Sequence, residues 1–130
     1  MKQFFILILT TVFVLFPLFG RVYAAQVPPQ IFTYQGRLTD SGGNLLGGVG
    51  TTYYFKFSIW NNPTVGNGSR VWPATAPTSI GTTVKQGVFT VNIGDTANGY
   101  PDTLNLDFSS SSNFYLQVEA SSNNSTFETL

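Results

Sequence analysis

The stretch Thr51-Thr52-Tyr53-Tyr54-Phe55-Lys56-Phe57-Ser58-Ile59-Trp60 decides the fold class of this chain. Its residues alternate between two sets, and successive side chains of a β-strand point to opposite faces of the sheet. The alternation therefore predicts a strand with one buried face. One set contains a charge and a hydroxyl, so we expect it to face away from the core: Tyr54, Lys56, Ser58 and Trp60. The set expected on the core is Tyr53, Phe55, Phe57 and Ile59.

Similar short runs recur along the chain, separated by Gly, Pro, Asn and Asp. Gln86 and Gly87 predict a tight hairpin turn in which glycine supplies a positive φ. After residue 24 no window has a 3.6-residue apolar period, so long helices are not expected. About seven short strands at this spacing predict an all-β fold, an antiparallel β-sandwich, with an open-ended barrel as the alternative. The other predicted strands are residues 31–39, 71–72, 81–85, 88–93, 104–108 and 114–120.

Residues 1–24 have the features of a secretory signal peptide. A positive charge at Lys2 precedes a helical apolar run over residues 4–19, and small residues follow in the cleavage region. We expect cleavage after Ala24, which leaves residues 25–130 as a β-sandwich domain of a secreted or cell-surface protein with no stable membrane span. A retained membrane anchor is the alternative, but the run of 16 residues is shorter than the ~20 of a spanning helix.

The composition excludes most catalytic chemistry. Charged residues make up 9% of the chain, against ~25% in an ordinary soluble protein, and there is no His and no Cys. A Ser-His-Asp triad, disulfides and thiolate-bound metals are therefore impossible. After Ala24, four Lys or Arg stand against six Asp or Glu, and this net charge of −2 offers no basic patch for nucleic acid. We expect no enzyme activity, no cofactor, no metal and no nucleic-acid partner.

The polar loop at residues 40–44 reads Asp-Ser-Gly-Gly-Asn. It contains too few oxygen ligands for a calcium loop, so a plain turn is the favoured interpretation and calcium binding the alternative. Arg37 precedes this loop and is one of few cations in the chain. We expect it to pair with Asp40 or another acid and so hold the first strand in place.

Aromatic residues provide the main candidates for a binding surface. Sugar-binding sites use exposed aromatic platforms, and a large exposed apolar patch usually marks an interaction site. The alternative is that these residues pack in the core, as Trp often does in β-sandwiches. The candidate contacts for a glycan or another partner are Tyr54, Trp60, Trp72, Tyr100 and Tyr115.

The motif Tyr34-Gln35-Gly36-Arg37-Leu38 resembles the opening of a domain found in bacterial secreted and surface proteins. Further matches lie, in the same order as in that domain, at residues 54–60, 71–72, 83–84, 87–91, 114–118 and 127–130. The resemblance covers residues 31–130. It implies a non-catalytic β-sandwich at the N-terminus of a surface protein, often upstream of fibre-like or tail-fibre-chaperone regions. The implied partners are other modules or protomers of a surface assembly.

The end of the chain departs from that family pattern. Residues 126–130 begin a new apolar alternation, and the family continues past this point with a basic, proline-containing stretch. We therefore expect either a ragged strand that closes the sheet or a fragment of a longer protein. The sequence as a whole predicts a non-catalytic structural or adhesion module of an exported bacterial surface or fibre-like protein. A carbohydrate-binding module that uses exposed Trp and Tyr is the alternative.

Overall fold

A computed structural model of the protein describes residues 30–111 and 113–130. This part of the chain forms an all-β fold of seven strands in two antiparallel sheets, with one 3-10 turn at Thr96–Asn98, and the predicted fold class is confirmed. The expected signal helix and the cleavage site after Ala24 lie outside the described residues. Within them, no helix is long and apolar enough to cross a membrane. The strands are β1 Phe32–Arg37, β2 Thr51–Trp60, β3 Arg70–Trp72, β4 Ile80–Val84, β5 Val88–Ile93, β6 Tyr115–Ser121 and β7 Glu128–Thr129.

The larger sheet has five strands and is organised around β2. One edge of β2 pairs with β6 along most of its length, and β7 pairs with the far edge of β6. The other edge of β2 is shared, since β4 pairs with its first half and β3 with its last two residues. The long alternating run quoted above is therefore the centre of the sheet, and Phe55, Phe57 and Ile59 are buried as expected while Tyr53 is half-buried.

Among the described residues, the smaller sheet consists of β1 and β5, and it packs across the core face of β2. Tyr34 of β1 meets the Phe57 ring edge-on at a centroid distance of 5.6 Å, and Phe89 of β5 stacks on Phe55 at 4.1 Å. Gly36 permits this close packing, because a Cβ there would overlap the Phe89 ring. The remaining buried apolar side chains of the core are Leu38, Ile59, Trp72, Val84, Val91, Ile93, Tyr100, Leu104, Val118 and Ala120.

The turn at Gln86 and Gly87 is a corner between the two sheets. Lys85 and Val88 exchange backbone hydrogen bonds of 3.0 and 2.9 Å, and the two turn residues have φ of 49° and 78°, as a type I′ turn requires. The predicted tight turn is confirmed, but the predicted hairpin is not formed, because β4 and β5 are joined only by the isolated Lys85–Val88 bridge. The strands it joins then separate, since β4 pairs with β2 and β5 pairs with β1. This separation lets the inward side chains of β5 cover the core from the second layer.

Residues 104–108 do not form the predicted strand. Leu104 is buried, and the preceding carbonyl oxygen of Thr103 accepts a 2.9 Å hydrogen bond from Trp72 Nε1, while Asp107 closes a turn with Ser109. The segment therefore lies over the core without joining a ladder in the described part of the chain. The alternation at the chain end does form a strand, because β7 pairs with β6 and the Leu130 N–H donates to Val118 O at 2.9 Å.

Candidate functional site

The outer face of the larger sheet brings together two of the predicted contact residues. Trp60 and Tyr115 are direct partners in the β2–β6 ladder, and both are half-buried. Paired residues of an antiparallel ladder point to the same face, so both side chains lie on the surface opposite the core. Tyr54 lies on the same face but at the other end of the ladder, opposite Ser121.

A shallow groove of about 120 Å³ opens beside Trp60 and Tyr115. Amide and hydroxyl side chains line it together with the two rings, and this combination suits a ligand that has both apolar faces and hydroxyl groups. The indole N–H of Trp60 donates to Ser58 Oγ at 2.9 Å, which restrains the orientation of the ring. The polar side chains that line the groove are Asn62, Thr64, Gln117 and Thr129.

Lys56 separates this groove from Tyr54. Its Nζ lies 4.0 Å from the centroid of the Phe127 ring, a cation–π contact that covers the middle of the outer face. Glu119 is the ladder partner of Lys56 and carries a charge of opposite sign on the same face. The Lys56–Phe127 contact therefore separates Tyr54 from Trp60 and Tyr115 on this face.

Trp72 and Tyr100 are core residues, so the prediction that they are exposed contacts is wrong for both. Trp72 is 1% exposed and Tyr100 is 3% exposed, and their rings stack at 6.3 Å. The reason lies in the sheet register, because Trp72 pairs with Ile59 and so points to the core face of β2. The run at residues 71–72 is too short to display an alternation, so no sequence signal separates Trp72 from the half-exposed Trp60.

The hydroxyl of Tyr100 is the polar atom that this burial affects most. It has no hydrogen-bond partner among the described residues. Burial, with a smaller contribution from the negative charge of Asp102, raises the pKa of Tyr100 above its usual value. In the core, the Tyr100 ring packs on the rings of Trp72 and Phe57.

The motif at residues 34–38 is split between the two faces of β1 and its extension. Tyr34, Gly36 and Leu38 point inward, whereas Gln35 and Arg37 are exposed. The expected pairing of Arg37 with Asp40 is not formed in this part of the chain. The Asp40 carboxylate instead accepts hydrogen bonds from the Gly42 and Asn44 backbone N–H groups and from the Asn44 side chain. These hydrogen bonds lower the pKa of Asp40, and the bond from the Asn44 side chain has the largest effect. They identify residues 40–44 as a turn.

Most of the acidic side chains are used to hold loops in place. As at Asp40, the other loop carboxylates accept hydrogen bonds: that of Asp95 from Asn98, that of Asp102 from Thr78, and that of Asp107 from Ser109. Asp40 lies in the loop after β1, and the other three acids lie in the connection between β5 and β6. Over residues 30–111 and 113–130, no group of three or more acidic side chains is arranged to hold a metal ion.

Sequence reasoning missed a second surface, the outer edge of β1. Within the described chain β1 pairs only with β5. The Leu38 N–H donates to Gly87 O at 2.7 Å, so the backbone N–H and C=O groups of Leu38 and of every second residue before it point toward β5. The backbone groups of the residues between them point to the opposite edge of β1. The backbone N–H and C=O groups of Thr33, Gln35 and Arg37 therefore lie along an unpaired strand edge. Edge status depends on pairing between distant strands, so no local pattern reports it.

The profile of one protein family, described as "Domain of unknown function (DUF8740)", matches residues 33–130. The chain belongs to this family. The match begins in β1 and continues through β7, so both sheets lie within the DUF8740 domain. No curated protein matches the chain, and no solved structure does.

The DUF8740 domain thus presents two surfaces with distinct recognition chemistry. The groove beside Trp60 and Tyr115 combines aromatic rings with amide and hydroxyl groups. The edge of β1 presents backbone donors and acceptors at every second residue. The first surface suits a small polar ligand, and the second suits another extended chain.

Proposed function

We propose that this DUF8740 domain is a non-catalytic structural or adhesion module of an exported bacterial surface or fibre-like protein. The observation that carries the proposal is the outer edge of β1, which pairs with no strand of the described residues. An exposed row of unpaired N–H and C=O groups is a template for pairing with another chain, and assembling proteins use such edges as contacts. Its partners are then other modules or protomers of the same surface assembly.

Export and the absence of catalysis are supported by the sequence and by the loops. The charged, apolar and small-residue regions of residues 1–24 have the order of a secretory signal, and such a protein reaches the cell exterior. Four carboxylates are engaged in loop hydrogen bonds, as described above for Asp40, Asp95, Asp102 and Asp107. A hydrolytic site needs free acids that face a common cleft.

The test uses the natural gene product in its own host. A photo-crosslinking amino acid is placed at Thr33 on the β1 edge, or at Asn67 in the exposed loop after β2 as the control. We expect the protein in the secreted or cell-surface fraction, and a covalent adduct from position 33 but not from position 67. Retention in the cytosol, or equal labelling from the two positions, would contradict the proposal.

Carbohydrate binding is a second candidate, favoured by the cross-strand pair of Trp60 and Tyr115 beside the polar groove. Sugar rings stack on aromatic faces while their hydroxyls bond to amides, and the groove supplies both groups. We expect micromolar-to-millimolar binding on a glycan array that is lost in Trp60→Ala and in Tyr115→Ala. Tyr54→Ala is the matched control, because Tyr54 lies on the same face outside the groove.

Two outcomes decide this candidate. Loss of binding in the groove variants with retention in Tyr54→Ala supports a glycan site. If the wild-type protein binds no glycan on the array, carbohydrate binding is ruled out as the function. Trp72→Ala is not a suitable variant, because Trp72 is in the core and its truncation costs about 3–5 kcal/mol of folding free energy.

A further inference from the structure

The outer edge of β1, which no strand of the described chain pairs, faces a defined part of the larger sheet. At the corner turn β5 lies beside β4, since Lys85 and Val88 are bridged. β4 pairs with one edge of β2, and β6 pairs with the opposite edge. Because β5 is on the β4 side, β1 is on the β6 side, and its free edge is directed over β6 and β7.

The inner face of β6 and β7 extends beyond β1. Glu128 is the ladder partner of the buried Ala120, so it points to the core side of the sheet, and Leu130 follows with the same orientation. Both are nevertheless exposed, Leu130 to 60%. Within the described residues, the smaller sheet therefore leaves the side chains of Glu128 and Leu130 uncovered.

A groove of about 550 Å³ lies at this uncovered position. One wall is formed by the extension of β1 past Arg37, and the floor and opposite wall are formed by the inner face of β2, β6 and β7. The groove contains two carboxylates, those of Asp40 and Glu128, and no cationic side chain is among its lining residues. Its apolar contacts are Leu38, Leu46, Tyr53, Ala120 and Leu130.

The geometry favours one extended segment over a second copy of the domain. A second domain that approached β1 in the plane of the smaller sheet would meet the overhanging β6 and β7. A single strand instead fits above them, because strands in a sheet are only about 4.8 Å apart. Negative charge without a cation in the groove further selects a segment that carries Lys or Arg.

We propose that the β1 edge accepts a β-strand donated by another polypeptide, with alternate apolar side chains in this groove and a Lys or Arg beside Glu128. The donated strand becomes the third strand of the smaller sheet and bonds to the backbone of Thr33, Gln35 and Arg37. This inference rests on the proposed function and specifies the contact through which the module assembles.

The test is a titration of the full chain with a labelled peptide followed by fluorescence anisotropy. The probe is Lys-Thr-Val-Thr-Val-Thr-Val-amide labelled at its N-terminus, which places Lys and Val on one face of a strand and Thr on the other. Two backbone controls carry N-methyl groups on the three Val residues or on the three Thr residues. Only one edge of an added strand pairs with β1, so we expect one of these peptides to bind at least about tenfold more weakly and the other to retain binding.

Variants of the protein test the position of the strand. Glu128→Lys is expected to weaken binding of the Lys peptide by about tenfold, and to restore binding of a peptide with Glu in place of Lys. Thr129→Lys is the matched control, because Thr129 lies on the same strand and faces the opposite side. Gln35→Pro removes an edge donor, and circular dichroism establishes whether that variant folds. The Glu128 and N-methyl measurements do not depend on it.

Equal binding of the two N-methyl peptides, or no binding of the probe up to millimolar concentration, would overturn the inference. A concentration-dependent dimer in sedimentation that Gln35→Pro abolishes would also overturn it, since the occupant is then a second copy. Failure of the proposed function gives a different result. In that case the protein remains in the cytosol or yields no adduct from position 33 in cells, even though the peptide binds in vitro.

Discussion

At the scale of single residues, the same residue type serves opposite purposes in this fold. Trp60 presents a half-exposed ring beside a polar groove, whereas Trp72 is enclosed and uses its N–H to hold residue 103. Composition cannot distinguish the two. What separates them is ladder register, because Trp60 has Tyr115 as its partner on the outer face and Trp72 has Ile59 on the core face.

Tyr100→Phe is expected to stabilise the protein at neutral pH by about 1 kcal/mol, because a buried hydroxyl without a partner carries a desolvation cost of that order. The pKa of Tyr100 is raised in the folded state, so the neutral form favours folding. Its contribution is fully present below the unfolded pKa of about 10 and is lost as the pH rises above that value. Tyr100→Phe should therefore reduce the fall in stability between pH 9 and 11.

Urea unfolding at pH 7, 9 and 11 measures both effects. Tyr54→Phe is the control, since it removes the same atom from a half-exposed residue on the outer face. An unchanged pH dependence in Tyr100→Phe would mean that this ring does not govern the alkaline loss of stability.

At the scale of elements, alternation predicted most strands correctly because it reports which face each strand buries. It placed β2, β5 and β6 to within one residue at each end. It failed at residues 104–108, where Leu104 is buried and Phe108 is exposed in a segment that forms no ladder in the described chain. It also could not assign partners to β4 and β5, because a two-residue turn looks the same whether its strands pair or diverge.

Gln86→Asn is expected to stabilise the corner turn by about 0.5–1 kcal/mol. Gln86 has a positive φ of 49°, and Asn tolerates this conformation better than other non-glycine residues. The backbone bond from Gln86 N–H to Gly48 O is retained in the variant. Gln86→Val is the matched comparison and is expected to be destabilised, because a β-branched side chain is strained at positive φ. Thermal melts of the three proteins check the order, and a melting temperature for the Asn variant below that of wild type would contradict it.

At the scale of the whole molecule, the sequence predicted the sandwich class and the number of strands, but not the unequal width of its layers. Layer width is set by pairing over long sequence distances, such as β1 with β5 and β6 with both β2 and β7. The candidate site was predicted in part, since Trp60 and Tyr115 lie together while Trp72 and Tyr100 lie inside. The groove against β7 required the assembled sheet, because its walls come from segments more than seventy positions apart.

The pairing of β1 with β5 also determines the order in which the fold is completed during synthesis. A ribosome makes β1 first, and the residues that pair with it follow more than fifty positions later. Closing so long a loop is slow, and folds dominated by such contacts acquire their native structure over milliseconds to seconds. During translation, β1 therefore has two unpaired edges until β5 is made.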